Sequence, residues 1–435
     1  MSDEVLYRWP APAPEVARLL AHAQPDDRPF VLASGPGDPA LSSWSYVGLE
    51  ALAQHSTLEQ AWPTLTGWSS SGEPPFTGGL VGYLGYDQGW AYVKRPRPPR
   101  LDPLGLPNAA IFSYDAIYAR HEPSGVGYVC AQPNPEARRR AERLQALLSE
   151  ATPTPQGSLR TPLQARISEE QYRRRVAVLL DAIAAGELYQ ANLSYGVEGR
   201  YAGDPVATFL RVLESPPPFA AFLGLGAGQT IVSASPECFF DLEGPSRRIS
   251  AYPIKGTRGR SVDRELDHRL AEELVRDPKE RAEHLMIVDL LRNDLGRIAL
   301  PGSVQVNGLA YVESFPTVHH LTSRVQANLP PQLPVNALWS ALFPGGSITG
   351  APKLRSMELI DELEGEARGV YTGSIFYAGA DGSLRSNIAI RTASFAGEWV
   401  RFGVGGGIVA DSRPEQEWEE TKLKAKALSR ALRGE

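Results

Sequence analysis

Lys255 lies in Ala251-Tyr252-Pro253-Ile254-Lys255-Gly256-Thr257-Arg258, a short apolar strand that breaks at a glycine. A lysine between Ile254 and Gly256 is expected to lose water, and desolvation lowers an ammonium pKa. An unperturbed lysine, with a pKa of about 10.4, is neutral only about once in 2,500 molecules at pH 7. Burial is what would turn it into a nucleophile. A strand-end lysine reaching for solvent fits the same residues. Two acidic pairs offer a second chemistry: Glu280 with Glu283, and Glu417 with Glu420. At i and i+3 on a helix the two carboxylates of a pair share a face and repel unless a positive charge sits between them. A hard divalent cation would remove that repulsion, and all-carboxylate ligation with room for water suits Mg²⁺. Acids near a helix N-terminus also simply complement its dipole.

Two glycine-rich runs stand beside these groups. Phe343-Pro344-Gly345-Gly346-Ser347-Ile348-Thr349-Gly350-Ala351-Pro352-Lys353 runs into an amphipathic helix striped by Leu354, Met357, Ile360 and Leu363. Backbone N–H groups at its start could hold an anion. Gly345 and Gly350 have P-loop spacing, but Ala351-Pro352-Lys353 follows where Lys-Ser/Thr is needed, so a kinase or ATPase is set aside. The second run, Gly403-Val404-Gly405-Gly406-Gly407-Ile408-Val409, lets backbone approach a ligand closely. Ser412-Arg413-Pro414-Glu415 after it reads as a capping box opening the helix that carries Glu417 and Glu420.

The elements that must position these residues divide unevenly along the chain. Residues 1–150 alternate short apolar runs with Gly and Pro turns, as in Gly79-Leu80-Val81-Gly82-Tyr83-Leu84-Gly85-Tyr86, and predict a strand-rich N-terminal region. A basic helical stretch from Glu136 to Ser149 leads to a linker over 151–164, which contains Thr152-Pro153-Thr154-Pro155. Beyond it, 165–435 predicts a helix from Ser168 to Ala185 and strands around Ala191 to Val197, Ala220 to Leu225 and Thr230 to Ser235. A helix then opens at Asp277, where Pro278 suits the first turn and Gly296 the stop. Helices and strands mix without a strict βαβ rhythm.

Composition narrows the class. At 435 residues, 42% apolar and 22% charged, the chain has the makings of a soluble globular protein with a sizeable core. A net charge of -6 and a pI near 5.8 give no electrostatic footprint for nucleic acid or an anionic membrane. No run of 18 apolar residues occurs, and Met1-Ser2-Asp3-Glu4 is acidic where a signal peptide would be basic, so the expected location is cytoplasmic. Cys130 and Cys238 form no CxxC pair, consistent with buried thiols in a reducing compartment.

Five ordered motifs resemble the chorismate-utilising enzymes: Ser233-Ala234-Ser235-Pro236-Glu237, Pro253-Ile254-Lys255-Gly256-Thr257, the stretch from Arg281 to Asp294, Gly346-Ser347-Ile348-Thr349-Gly350-Ala351-Pro352-Lys353, and Gly405-Gly406-Gly407-Ile408-Val409-Ala410-Asp411-Ser412. The resemblance is dense from about 165 to 430 and thinner before it. It implies an α+β fold, a four-layer α/β/β/α sandwich of two intertwined domains, with Mg²⁺ as cofactor and chorismate as substrate. Three positions sort the subfamilies. Lys255 resembles the aminodeoxychorismate synthases, in which this lysine adds at C2, whereas anthranilate synthases typically carry alanine. Gln190 stands where isochorismate and salicylate synthases have a water-activating lysine, and glutamine cannot act as that base. Val31-Leu32-Ala33-Ser34 lacks the glutamate of the Leu-Leu-Glu-Ser element that anthranilate synthases use for tryptophan feedback. Anthranilate synthesis is the alternative reading.

By the same resemblance, Glu237 is the acid that protonates the C4 hydroxyl, and His320 stands near the reacting ring or serves as a structural hydrogen-bonding histidine. Glu283 and Glu420 hold the metal, with Glu280 and Glu417 close by or acting through water. Tyr371, Arg391, the amides of Gly405, Gly406 and Gly407, and Lys424 bind carboxylates, while Gly256 and Thr257 border the ring. Gly259 departs from the pattern, which usually has proline there. Neither cysteine lies in a Gly-x-Cys-x-Gly elbow, so ammonia is expected from a separate glutamine amidotransferase subunit in a heterodimer. The implied product is 4-amino-4-deoxychorismate, for 4-aminobenzoate and folate synthesis.

Overall fold

The computed structural model describes residues 7–11, 16–24, 26–70, 72–93, 100–148, 150, 154–315 and 318–435. Met1 to Glu4, Ser149 and residues 151–153 of the expected linker lie outside these. Among the described residues two antiparallel sheets, of 13 and 10 strands, form the centre. Period-2 patterning explains why they stack. In Phe219–Gly226, Ala220 and Phe222 join an apolar cluster with the helices Pro135–Leu147, Glu169–Ala184, Pro205–Leu213 and Pro414–Arg433. Ala221 and Leu223 point the other way, into a cluster shared with the second sheet. In Gly79–Leu84 of that second sheet, Val81 and Tyr83 meet this middle cluster, and Leu80 and Leu84 face a third. The third cluster is completed by Ile287, Val288 and Leu291 of the helix Pro278–Gly296 and by Trp339 of the helix Val335–Leu342. Three large cores therefore separate four layers, helix, sheet, sheet, helix, as the resemblance implied.

Strands from both ends of the chain interleave in each sheet. Phe30–Ala33 pairs with Phe219–Gly226, and Gly79–Leu84 pairs with Ser374–Gly379. The segment before residue 165 is itself strand-paired: Gly157–Leu159 and Gln164–Ala165 both align on Gln190–Gly203. No helix among the described residues is long and apolar enough to cross a membrane.

The helix Glu169–Ala184 opens with a full capping box between Ser168 and Gln171. The C-terminal helix does not. Its N-cap is Arg413 with no side-chain cap, and Ser412 Oγ instead donates to Glu417 Oε1 at 2.6 Å. The capping box expected at Ser412 is thus absent: the helix starts one residue later, with Arg413 as its N-cap, and Ser412 Oγ accepts the Val409 N–H at 3.1 Å in place of a first-turn amide. The glycine loop before Lys353 is likewise bound into the fold. Gly350–Ala351 pairs with Gln190 and Ala191, and the buried Lys353 ammonium bonds Asp294 at 2.8 Å and the Leu342 carbonyl at 3.0 Å.

Candidate active site

The site forms where the inner faces of the two sheets stop being apolar. In Gln190–Gly203 the positions that alternate with Ala191, Leu193 and Tyr195 are Gln190, Asn192 and Ser194, and the facing strand Trp399–Ile408 answers Asn192 with Gly407 and Ser194 with Gly405. Polar groups opposite glycine leave room that a core would have filled. A Cβ on Gly407 would lie 3.2 Å from both Gln190 Nε2 and Lys255 Nζ, so these two border one small volume.

Lys255 comes from the strand Ile254–Gly259, paired along Val318–Asn328. The register slips at Gly256, which has a φ of 78°, so that Lys255 opposes Leu321 and Thr257 opposes His320. This bulge needs glycine: a Cβ there would sit in the left-handed region and 2.9 Å from Glu280 Oε2. Burial lowers the Lys255 ammonium below its ordinary value. Glu283 opposes that shift, with Oε2 4.0 Å from Nζ, and Lys424 adds to it. Burial pushes the Glu237 carboxyl up to about 7 against the pull of Lys255 and of Ser347, whose hydroxyl donates to Oε1 at 3.4 Å. One base and one acid therefore sit in the same electrostatic neighbourhood, each shifted toward its neutral form.

His320 shares a hydrogen bond with Thr257, Nδ1 to Oγ1 at 3.0 Å, and burial with the nearby Arg391 cation holds it down at about 4. It is neutral at pH 7. Arg391 itself is exposed, with a φ of 51°, on the floor of an open cleft together with His320, Pro236 and Phe315. Tyr371 is buried with its ring over Gly403, where a Cβ would come within 2.2 Å of it, and it interacts with the Asn192 side chain.

The four glutamates approach from two helices. Glu280 bonds Arg258 at 3.1 Å, Glu420 pairs with Lys424 at 2.7 Å, and Lys424 also donates to the Gly405 carbonyl at 3.1 Å. Glu417 faces Gly406, whose Cβ would lie 3.3 Å from Oε2. Burial raises Glu283, with Glu280 and Glu420 adding repulsion; burial also raises Glu417, again with Glu420 adding. Burial alone would raise Glu420 too, but the Lys424 ammonium outweighs it and draws the carboxyl down. Among the described residues no three acidic, histidine or cysteine groups form a ready metal cage. Mutually repelling, partly buried carboxylates are nonetheless an all-oxygen donor set of the kind a hard cation relieves.

Lys255, Glu237, Gly256, Glu280, Glu283, Gly407, Glu420 and Lys424 are thus brought together, with Gly405, Gly406 and Glu417 beside them. Thr257 and His320 adjoin across the bulge, Arg391 reaches them from the cleft, and Tyr371 lies further along the glycine strand. Sequence reasoning missed the side chains of Asn192 and Ser347 as parts of the site. The signal for the first was present: a polar residue at an alternating position inside an otherwise apolar strand.

Residues 28–430 match the chorismate binding enzyme family. The chain belongs to the chorismate binding enzymes. It is 40% identical over 360 residues to aminodeoxychorismate synthase component 1 of Escherichia coli (strain K12), covering 82% of this chain and 78% of that one. It is 37% identical over 456 residues to anthranilate synthase component 1 of Streptomyces coelicolor, covering 96% and 87%. Against the crystal structure of anthranilate synthase component I from Streptococcus pneumoniae the TM-score is 0.77 at 29% identity, over 93% of this chain and 92% of that chain. The four-layer sandwich is therefore the architecture of a chorismate binding enzyme.

Proposed function

We propose that this chorismate binding enzyme converts chorismate and ammonia to 4-amino-4-deoxychorismate through a covalent adduct on Lys255. The supporting observation is Lys255 itself, an amine whose ammonium burial lowers, set against the Cβ-free face of Gly407 beside a carboxyl raised to about 7. Neutral Lys255 attacks C2, the ring electrons shift, and Glu237 protonates the C4 oxygen as it leaves as water. Ammonia then adds at C4 and the lysine is expelled by the reverse flow. Arg391, Tyr371, Lys424 and the amides of Gly405 to Gly407 bind the carboxylates, Arg391 by its planar fork. Gly256 and Thr257 border the ring, and neutral His320 hydrogen-bonds beside it. Glu283 and Glu420 would hold Mg²⁺ with Glu280 and Glu417 near, and the ion supplies charge stabilisation at the ring carboxylate.

A separate glutamine amidotransferase subunit is proposed as the ammonia source, a reading supported by the name component 1 of the relatives. Co-elution with that subunit and glutamine-dependent turnover test it. The second reading is anthranilate synthesis, favoured by the identity to the Streptomyces coelicolor protein across 96% of this chain. Chorismate, ammonia and Mg²⁺ supplied to the purified enzyme separate the two. Fluorescent 2-aminobenzoate as the product overturns the proposal; the 4-amino product, identified by mass and retention time, supports it.

A further inference from the structure

Neither end of the Gln190 amide has a partner. Nε2 and Oε1 are both buried and unbonded, in a residue that is 0% exposed. Buried side-chain amides are nearly always hydrogen-bonded, so one left open on both sides of its chemistry points to a ligand that completes it. Its aim follows from Gly407, where a Cβ would meet Gln190 Nε2 and Lys255 Nζ at the same 3.2 Å. Amide and amine face one volume.

We infer that Gln190 stabilises the Lys255 nitrogen as the adduct forms, with Oε1 accepting a hydrogen bond from the ammonium created there. This rests on the proposed reading of Lys255 as nucleophile. When the neutral amine bonds to C2 it becomes a secondary ammonium with two N–H groups. The C4–O bond breaks, the oxygen takes the Glu237 proton and departs as water, and Glu237 remains as carboxylate. Positive charge has appeared on a nitrogen that carried none, on a side chain only 17% exposed. Neither amide end is held by a partner, so a half-turn about χ3 carries Oε1 to the place Nε2 occupies beside the shared volume; there the carbonyl gains more from that charge than from the neutral amine, and its effect falls on the transition state. The nearest carboxylate, Glu283, is 4.0 Å away and outside hydrogen-bond range. An uncharged acceptor is also the better choice here, since a carboxylate at 190 would hold the lysine protonated before attack.

The test uses Gln190→Met, of equal length and unable to accept, with chorismate, free ammonia and Mg²⁺, following the Lys255 adduct by quenched-flow mass spectrometry. Adduct formation and kcat are expected to fall by about 10- to 100-fold, with KM for chorismate changed by less than about threefold. Thermal stability should hold or rise, since an unsatisfied buried amide is gone. In the Lys255→Ala background the second substitution should cost nothing more, because Gln190 acts through the lysine. An unchanged adduct rate, a loss carried by KM alone, or an equal added loss in Lys255→Ala would overturn this inference. Absence of any adduct in the wild type would instead overturn the parent reading, and this one with it.

Discussion

Lys255 Nζ stands 4.0 Å from Glu283 Oε2, near enough to be attracted and too far to hydrogen-bond. A close ion pair would fix the amine as ammonium; at this separation burial prevails and the ammonium lies below its ordinary value. Lys255→Ala is expected to lose the para-amino product by several orders of magnitude while keeping the fold. Lys255→Arg should be equally inactive, because a guanidinium does not deprotonate. Product quantified by mass and retention time checks both, and an alanine variant as fast as wild type would sink the covalent route.

Glu237 supplies the pH dependence. As the acid it must be protonated, and with its carboxyl raised by burial to about 7, kcat at fixed free ammonia should fall as pH rises through about 7. Glu237→Gln should cost about 10²- to 10⁴-fold and flatten that limb. Stability moves the same way. A carboxyl raised in the native state contributes stability that is fully present below its unfolded value and is lost as pH climbs through about 7. Glu237→Gln should therefore melt higher than wild type at pH 8 and alike at pH 4, by calorimetry.

The acidic groups predict a metal requirement. Glu283 and Glu417 are raised by burial and by neighbouring carboxylates, so a bound cation should stabilise the fold as well as the reaction. Chelator treatment should abolish turnover and Mg²⁺ restore it. Glu283→Gln should need about tenfold or more Mg²⁺ for half-maximal activity, and the Mg²⁺-dependent rise in melting temperature should vanish in Glu283→Gln with Glu420→Gln. A melting temperature indifferent to Mg²⁺ in the wild type would refute the site.

Much of this site was readable along the chain because its signals are local. A lysine followed by glycine in an apolar strand, and carboxylates three apart at helix starts, depend on neighbours within one turn or one strand. The pairings of Val31 with Phe222 and of Val81 with Tyr377 join residues 191 and 296 positions apart, and nothing local encodes such partners. Ser412 shows the converse failure. A cap pattern is only an offer: the Val409 N–H takes the acceptor side of the Ser412 hydroxyl, and the helix starts a residue later, with Arg413 as its N-cap. The orphaned Gln190 amide was invisible for the same reason: an absent partner is a property of packing.

Arg368 binds the site's elements to each other. It bonds both carboxylate oxygens of Glu364 at 2.8 and 2.7 Å, the Asn192 carbonyl at 2.5 Å and the Ile348 carbonyl at 2.9 Å, and lies over the Tyr86 ring. The pair is 3% and 5% exposed. Arg368→Met leaves Glu364 charged and unpaired, which should cost about 3–5 kcal/mol in urea unfolding. Adding Glu364→Gln should recover part of that loss; a single variant as stable as wild type would show the pair to be dispensable.

The glycine strand separates space needed by the fold from space needed by substrate. A Cβ at 403 would meet the Tyr371 ring at 2.2 Å, and no small shift of a buried ring relieves that. Gly403→Ala should therefore destabilise the protein. At 407 the first contacts, at 3.2 Å, are the mobile ends of Lys255 and Gln190, and the backbone is not in the left-handed region. Gly407→Ala should fold with stability unchanged or improved by up to about 1 kcal/mol through a less flexible unfolded chain. The added methyl, however, occupies the volume the amine and amide share, so KM for chorismate should rise by about tenfold or more. Chemical denaturation and steady-state kinetics on the same preparation read both effects. A Gly407→Ala enzyme that is stable and fully active would place chorismate elsewhere than against that strand.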